Sequence, residues 1–489
     1  MRPLLICCVP LALMACALTP PAAHVPPLAP AQWQAVLPAS PGLAHGGSLS
    51  QLSQWWQQFN DPVLSELIDT AQTASATVAA AQTRLAQTRL TQANTSATLL
   101  PSLKATASAS RARTQPNLPL ATTLQAGLQT AWEIDLFGGA RSTESAAQLR
   151  LAGAQALWHD ARVSVAAEVA LQYFNLKVCN QQTLLTERDA ASRAETARLS
   201  DLTATAGFTA PATAALARAS ALEASARSRQ QRADCAVQTQ ALVALTALPQ
   251  ADLQQKIALQ EAKNESNSQS VQAFESSDAL FSIANPITSL PAHTLAQRPD
   301  VFNAEREVAA ASQDVGAAQA QRLPRLTLNG SVGRLGSRAG GVTTRLNTWS
   351  IGPLALSVPV LDGGVIRANV DVARATYDQA VVQYRSVVRQ AVREVEDALV
   401  NLDSTQARQA DSAGAAAGYR RSFMATEARY RNGLASLVEL EDARRSLLAA
   451  ETALITLQKE RYTAWVALYR AAGGGWTADA PAPAPRDPS

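Results

Sequence analysis

The sequence predicts a mainly α-helical fold with a small membrane-spanning β component, assembled from a unit that occurs twice. Three observations carry the prediction. WEIDLFGG (132–139) has a counterpart in SVPVLDGG (357–364), which sets Gly139 against Gly364 at an offset of 225, while Pro101 and Pro324 lie 223 apart and Gly207 and Gly433 lie 226 apart. Three landmarks so close to one offset indicate a duplicated unit. Within each copy the apolar pattern changes from helical to strict alternation and back. Each copy then runs 68 or 69 residues, from Gly139 to Gly207 and from Gly364 to Gly433, without an internal proline. At 1.5 Å per residue a helix of that length extends roughly 100 Å, more than a globular domain requires.

Taken in order, residues 1–16 carry one positive charge, Arg2, and an apolar stretch from Leu4 to Ala15 that is too short to span a bilayer. This reads as an export signal over 1–15. Leu13-Met14-Ala15-Cys16 resembles the bacterial lipobox, which makes Cys16 the expected lipidated first residue of the mature protein; an ordinary signal peptide with a chance cysteine is the alternative. Ala17-Leu18 lack the Asp that favours inner-membrane retention in similar lipoproteins, so the outer membrane is the expected destination. Residues 17–50 hold seven prolines, which suits an extended tether over 16–50. The first repeat is expected over 51–250, an inter-repeat linker over 251–294, the second repeat over 295–472, and a disordered tail over 473–489.

In the first repeat a helical pattern over 61–98 ends at Pro101. Leu103–Arg113 and Leu124–Ile134 then alternate, with Leu124, Ala126, Leu128, Thr130, Trp132 and Ile134 on one face. In the second repeat a helix is expected from Asp300 to Arg322, and strands at Arg325–Leu335 and Trp349–Val360 around a Gly-rich loop. Strands of about 11 residues match what a tilted strand needs to cross a bilayer. Return helices are expected over 210–247 and 435–471, so each repeat closes as an antiparallel hairpin with alanine at its packing positions. Four strands cannot close a membrane barrel, since the smallest have eight. The barrel must be shared among subunits.

The composition excludes other classes. The chain is 47% hydrophobic but 5% aromatic and 17% charged, with 42 Lys and Arg against 39 Asp and Glu. That balance lacks the basic excess of a nucleic-acid partner. The four histidines, His24, His45, His159 and His293, are scattered, and no phosphate-binding loop or nucleophile-base-orienter set occurs. No cofactor, no metal and no enzymatic activity are expected.

The segments WWQQFNDPVLSELI (55–68), WEIDLFGGARSTESAA (132–147), LAQRPDV (295–301), GPLALSVPVLDGGVIRANVDVARA (352–375) and YRNGLASLVELEDARRSLLAAE (430–451) resemble the outer-membrane factors of bacterial tripartite efflux pumps, in particular the TolC-like lipoproteins of the NodT group. The likeness covers roughly 50–472. It implies a homotrimer with a 12-stranded β-barrel in the outer membrane and a periplasmic α-helical barrel. It further implies contact with outer-membrane lipid and partnership with a periplasmic adaptor and an inner-membrane pump of the proton-driven RND type. The implied function is a passive exit duct for small toxic compounds. A duct for type I protein secretion and a periplasmic coiled-coil scaffold are the alternatives, the second of which would lack paired strands. Ser75 stands where the family usually has Asn.

Gly207-Phe208 and Asn432-Gly433 are expected at hairpin tips, where glycine permits the reversal; the resemblance adds adaptor docking. Glu439 and Asp442, at i and i+3, match the family's acidic ring at the periplasmic entrance, and Tyr430 matches a tyrosine that latches the closed state. Six such carboxylates in a trimer would favour cations. The competing reading is a solvated acidic face with Glu441 paired to Arg445. The corresponding first-repeat positions, Ala212 and Thr213, carry no charge. Cys179 and Cys235 each lie 28 residues from Gly207, so a regular hairpin sets them opposite one another, and in an oxidising compartment a disulfide is expected. Two buried free thiols are the alternative.

Overall fold

A computed structural model describes residues 18–27, 30, 34–35, 56, 61–113, 119–267, 295, 298–474 and 476. The signal segment and Cys16 lie outside the described residues. Two compact units emerge, one of residues 1–28, 81–157 and 300–388, the other of 29–80, 158–299 and 389–489. No described helix is long and apolar enough to cross a membrane.

The first unit contains a four-stranded antiparallel sheet in the order β1 (Ser102–Ala112), β2 (Ala121–Ile134), β3 (Arg325–Ala339), β4 (Val342–Ser357). The central pairing, β2 with β3, joins strands of different repeats. Residues paired directly across a ladder share a face. Leu128 pairs with Val332, which pairs with Trp349; Ile134 pairs with Leu326, which pairs with Leu356. One face therefore carries an apolar band, running from Leu103 through Leu128, Val332 and Trp349 to Ile351 and Leu354, and turns polar at Arg334, Asn347 and Arg345 toward the β3–β4 turn. The other carries Lys104, Thr106, Gln125, Gln129, Asn329, Ser331 and Ser350. Trp349, Ile351 and Leu354 are 76%, 85% and 61% exposed, as befits a face meant for lipid. Gly127 sits opposite Gly333. A Cβ on Gly127 would fall 2.6 Å from Val332 O, and one on Gly333 2.7 Å from Ala126 O, so neither position accepts a side chain without backbone movement.

The second hairpin is longer than expected. In place of a Gly-rich loop, β3 and β4 continue to a turn at Gly340-Gly341, both at positive φ (55° and 86°), the conformation a two-residue turn demands. The apolar alternation fades beyond Val332, but the ladder hydrogen bonds continue through Arg338 and Thr343. Polar residues suffice there.

Helix α6 (Pro299–Ala320) buries Val301, Ala304, Val308, Ala311, Val315 and Ala318, a stripe of helical period. Arg150 of the long helix α3 (Gly139–Thr205) joins it through Glu307 at 2.9 Å and Asp314 at 2.6 Å. Described residues of the proline-rich segment lie against this unit. Thr19 donates to Gln319, Pro21 O accepts from Ser312, and Ala22 O accepts from Tyr377.

The expected helix over 61–98 divides at Ser75. Helix α1 (Pro62–Ala74) ends at Ser75, whose ψ of 123° is extended, and α2 (Ala76–Ala97) restarts. The Ser75 hydroxyl accepts from Val78 N at 3.3 Å, the capping role that makes serine a helix initiator. Asp61 caps α1 and also accepts from Tyr173 at 2.6 Å and Lys177 at 3.0 Å. The return helices are α4 (Pro211–Thr246) and α8 (Leu437–Ala471), α5 spans Gln250–Asn267, and α7 spans Val365–Arg431. Helices α3 and α7 have 67 residues each, about 100 Å apiece.

Candidate functional site

Both long helices end in the same way. In α3, Gly207 N donates to Ala204 O and Phe208 N to Thr203 O; in α7, Gly433 N donates to Tyr430 O and Leu434 N to Arg429 O. This paired arrangement is the Schellman stop, and it needs a left-handed residue after the helix. Gly207 (φ 80°) and Gly433 (φ 72°) supply it. Asn432 closes the second stop by donating from Nδ2 to Ala428 O at 2.8 Å. The residue after each glycine is apolar and outward: Phe208 is 84% exposed and Leu434 69%.

The restarts differ. Ser436 caps α8 by accepting from Glu439 N at 3.2 Å, whereas Ala210 offers α4 no side-chain cap and Pro211 begins that helix. Tyr430 packs against a small core of Ala197, Ala217, Leu437 and Leu440, and its hydroxyl lies 3.3 Å from Ser200 Oγ. Glu439 and Asp442 are both exposed. Each has an arginine near it: Arg429 lies 3.9 Å from Glu439, and Arg445 lies 3.2 Å from Asp442. Their charge is therefore partly balanced within the protomer, and exposed pairs of this kind are weak.

Glu441 departs from the expected solvated face. It is 8% exposed, and its carboxylate faces inward to Arg193 of α3 and to Arg444, 2.9 Å away. Arg445 pairs with Asp442 instead. The reason is rotational: Leu437, Leu440, Glu441 and Arg444 occupy the buried stripe of α8, while Asp442 and Arg445 follow on the outside. Around Glu441 the cluster is densely bonded. Arg193 also donates to Asp189 and, at 2.6 Å, to Ser220; Arg444 donates to Ser192 and, at 2.7 Å, to Thr196. This buried network ties α3, α4 and α8 together behind the tips. Its sequence signal was a charged residue set on an otherwise apolar helical stripe.

Farther along the first hairpin, Cys179 and Cys235 are joined by a disulfide with Cα atoms 5.6 Å apart. At the tip itself, Asp201 meets Arg218 across the hairpin at 2.6 Å, and that guanidinium holds the Asp201 carboxyl below its usual range. No cluster of His, Cys, Asp and Glu suited to a metal occurs among the described residues.

Comparison with known proteins agrees with this architecture. The family described as outer membrane efflux protein matches residues 67–248 and 290–474. Outer membrane protein OprJ of Pseudomonas aeruginosa is 32% identical over 392 residues, 77% of this chain and 77% of its own. The solvent efflux pump outer membrane protein SrpC of Pseudomonas putida is 28% identical over 466 residues, 92% of this chain and 94% of its own. Among solved structures, the outer-membrane channel OprN superposes with a TM-score of 0.77 at 26% identity, covering 94% of this chain and 99% of that one.

Proposed function

This chain belongs to the outer membrane efflux protein family, and on that premise we propose that it is the outer-membrane channel of a tripartite efflux system, a passive exit duct for small toxic compounds. The observation that carries the proposal is the sheet. It has one face with an apolar band, one polar face and two unpaired edges, β1 and β4. In a bilayer an open edge cannot persist, because its backbone groups have no water to bond. Pairing β1 of one copy with β4 of the next removes both edges, and three copies of four strands give a homotrimeric barrel of twelve. Apolar side chains then meet lipid and polar ones line the pore. An inner-membrane pump of the proton-driven RND type supplies the energy, a periplasmic adaptor couples the two, and lipid on Cys16 anchors the chain in the outer membrane.

The tips take the adaptor. Phe208 and Leu434 offer exposed apolar contacts next to rigidly terminated helices, and exposed apolar residues mark interaction sites when they recur together. Glu439 and Asp442 form the entrance ring, with Tyr430 and Ser200 holding the two hairpins closed. The neighbouring arginines temper the ring's field, so its cation preference is moderate. Single-channel recording in planar bilayers tests this. Wild-type protein should conduct with a cation preference and be blocked by multivalent cations, and Glu439→Ala with Asp442→Ala should reduce both. Unchanged selectivity and block in the double variant would remove the gate assignment, and a wild-type protein that forms no channel would remove the duct.

A further inference from the structure

The seam behind the tips holds a cavity that the duct does not use. It measures about 360 Å³, within the range of small-molecule pockets, and lies among α3, α7 and α8 of the second unit. Leu185, Phe423, Leu447 and Leu448 give it apolar walls, and Arg188 and Arg444 give it cationic groups. Arg444 is the informative residue. Its side chain is 4% exposed, Nη1 donates to Glu441, Nη2 donates to Ser192 and Thr196, and the guanidinium lies 5.8 Å from the centre of the Phe423 ring. Its Nε is buried and has no acceptor. Native interiors leave few donors in that condition, and each asks for an explanation.

The other ions of the lining are matched. Asp189 holds Arg193, and Glu451 holds Arg420 at 2.7 Å. Arg188 is exposed and makes no ion pair among the described residues. Three arginines face two carboxylates across the cavity, so the surplus is cationic and the missing partner is an acceptor. We propose that this cavity binds a small amphiphile carrying a single carboxylate. The apolar body lies between the leucines and Phe423, and the carboxylate accepts from Arg444 Nε with Arg188 nearby. A charged acceptor suits the site better than a neutral one because hydrogen bonds between ions are the stronger kind. Since the same guanidinium holds Glu441, occupancy is coupled to the cluster that ties α8 to α3.

The test is calorimetric titration of the full-length protein in lipid nanodiscs with 4-phenylbutyrate and with its neutral amide, 4-phenylbutyramide. The carboxylate should bind saturably, one per chain, and at least about tenfold more tightly than the amide, the factor that about 1.4 kcal/mol represents. Leu447→Trp, which fills the cavity, should abolish binding, and Arg188→Gln should weaken it severalfold; retained channel conductance reports that each variant is folded. Absence of saturable binding to the wild type, equal affinity for acid and amide, or undiminished binding in folded Leu447→Trp would each overturn the proposal. Should Leu447→Trp not fold, the surface variant Arg188→Gln decides: an affinity equal to wild type overturns the site.

Discussion

Glu441 and Asp442 are neighbours in sequence and opposites in environment. Glu441 lies between two buried guanidinium groups, and removing it leaves Arg444 without its counter-charge and Arg193 with Asp189 alone. Breaking a buried ionic cluster by deleting one partner costs about 3–5 kcal/mol, whereas deleting an exposed partner costs about 1 kcal/mol or less. Glu441→Ala should therefore lower thermal stability sharply in detergent and Asp442→Ala should barely change it; equal losses would contradict the assignment of depth. His159 gives a second prediction at this scale. Burial, and then the charge of Arg162, push its pKa down to about 4, while the unfolded chain titrates near 6.5. The folded protein keeps this imidazole neutral where the unfolded one is protonated, so its contribution is complete above about pH 6.5 and is lost as pH falls toward 4. His159→Gln should flatten the stability profile across that window, and a variant curve parallel to wild type would count against it.

At the scale of the element, the long helices are held by what crosses between them. Chain propensity alone does not make a helix of 67 residues persist without interruption; most helical stability in proteins comes from packing. In the first hairpin the disulfide between Cys179 and Cys235, separated by 56 residues, adds a covalent tie. On the chain-entropy account a loop of that size is worth about 4 kcal/mol. The double variant Cys179→Ser with Cys235→Ser should be less stable by about that amount, and peptide mapping without reductant should recover the two cysteines in one linked species. Recovery of both as free thiols would overturn the cross-link. The second hairpin has no such bond among the described residues, and relies on ion pairs such as Arg420 with Glu451 and Arg408 with Glu460.

At the scale of the whole molecule, one chain is an incomplete object. Its sheet has a lipid-type face and a pore-type face but no closure. Cysteine pairs placed one in β1 and one in β4 should cross-link on oxidation into a species of three chains, resistant to unheated detergent. A ladder that stops at two chains, or that grows past three, would contradict threefold closure. The composition fits this construction. Small aliphatic residues fill seams between helices, as Ala214, Ala217 and Ala224 do along α4, and the larger apolar residues of the strands face outward.

The duplicated order of helix, two strands, long helix and return helix is legible in the residues alone, because those features are periodic and punctuated. Pro101 and Pro324, the double glycines at 138–139 and 363–364, and Gly207 and Gly433 mark the boundaries of the helices within a few residues, and backbone chemistry makes such marks local. The sequence also placed Cys179 opposite Cys235, since a regular hairpin turns spacing into proximity. Other features were decided only by the tertiary structure. Strand ends at Ala121 and Ala339 rest on ladder bonds that polar residues make as readily as apolar ones. The break at Ser75 rests on a cap that a helical pattern does not announce. Glu441 looked like one more surface acid beside Glu439 and Asp442, and only the approach of Arg193, 248 residues away in the chain, shows it to be the centre of a buried cluster. Local rules read the turns; what a charged side chain meets depends on which distant helix packs against it.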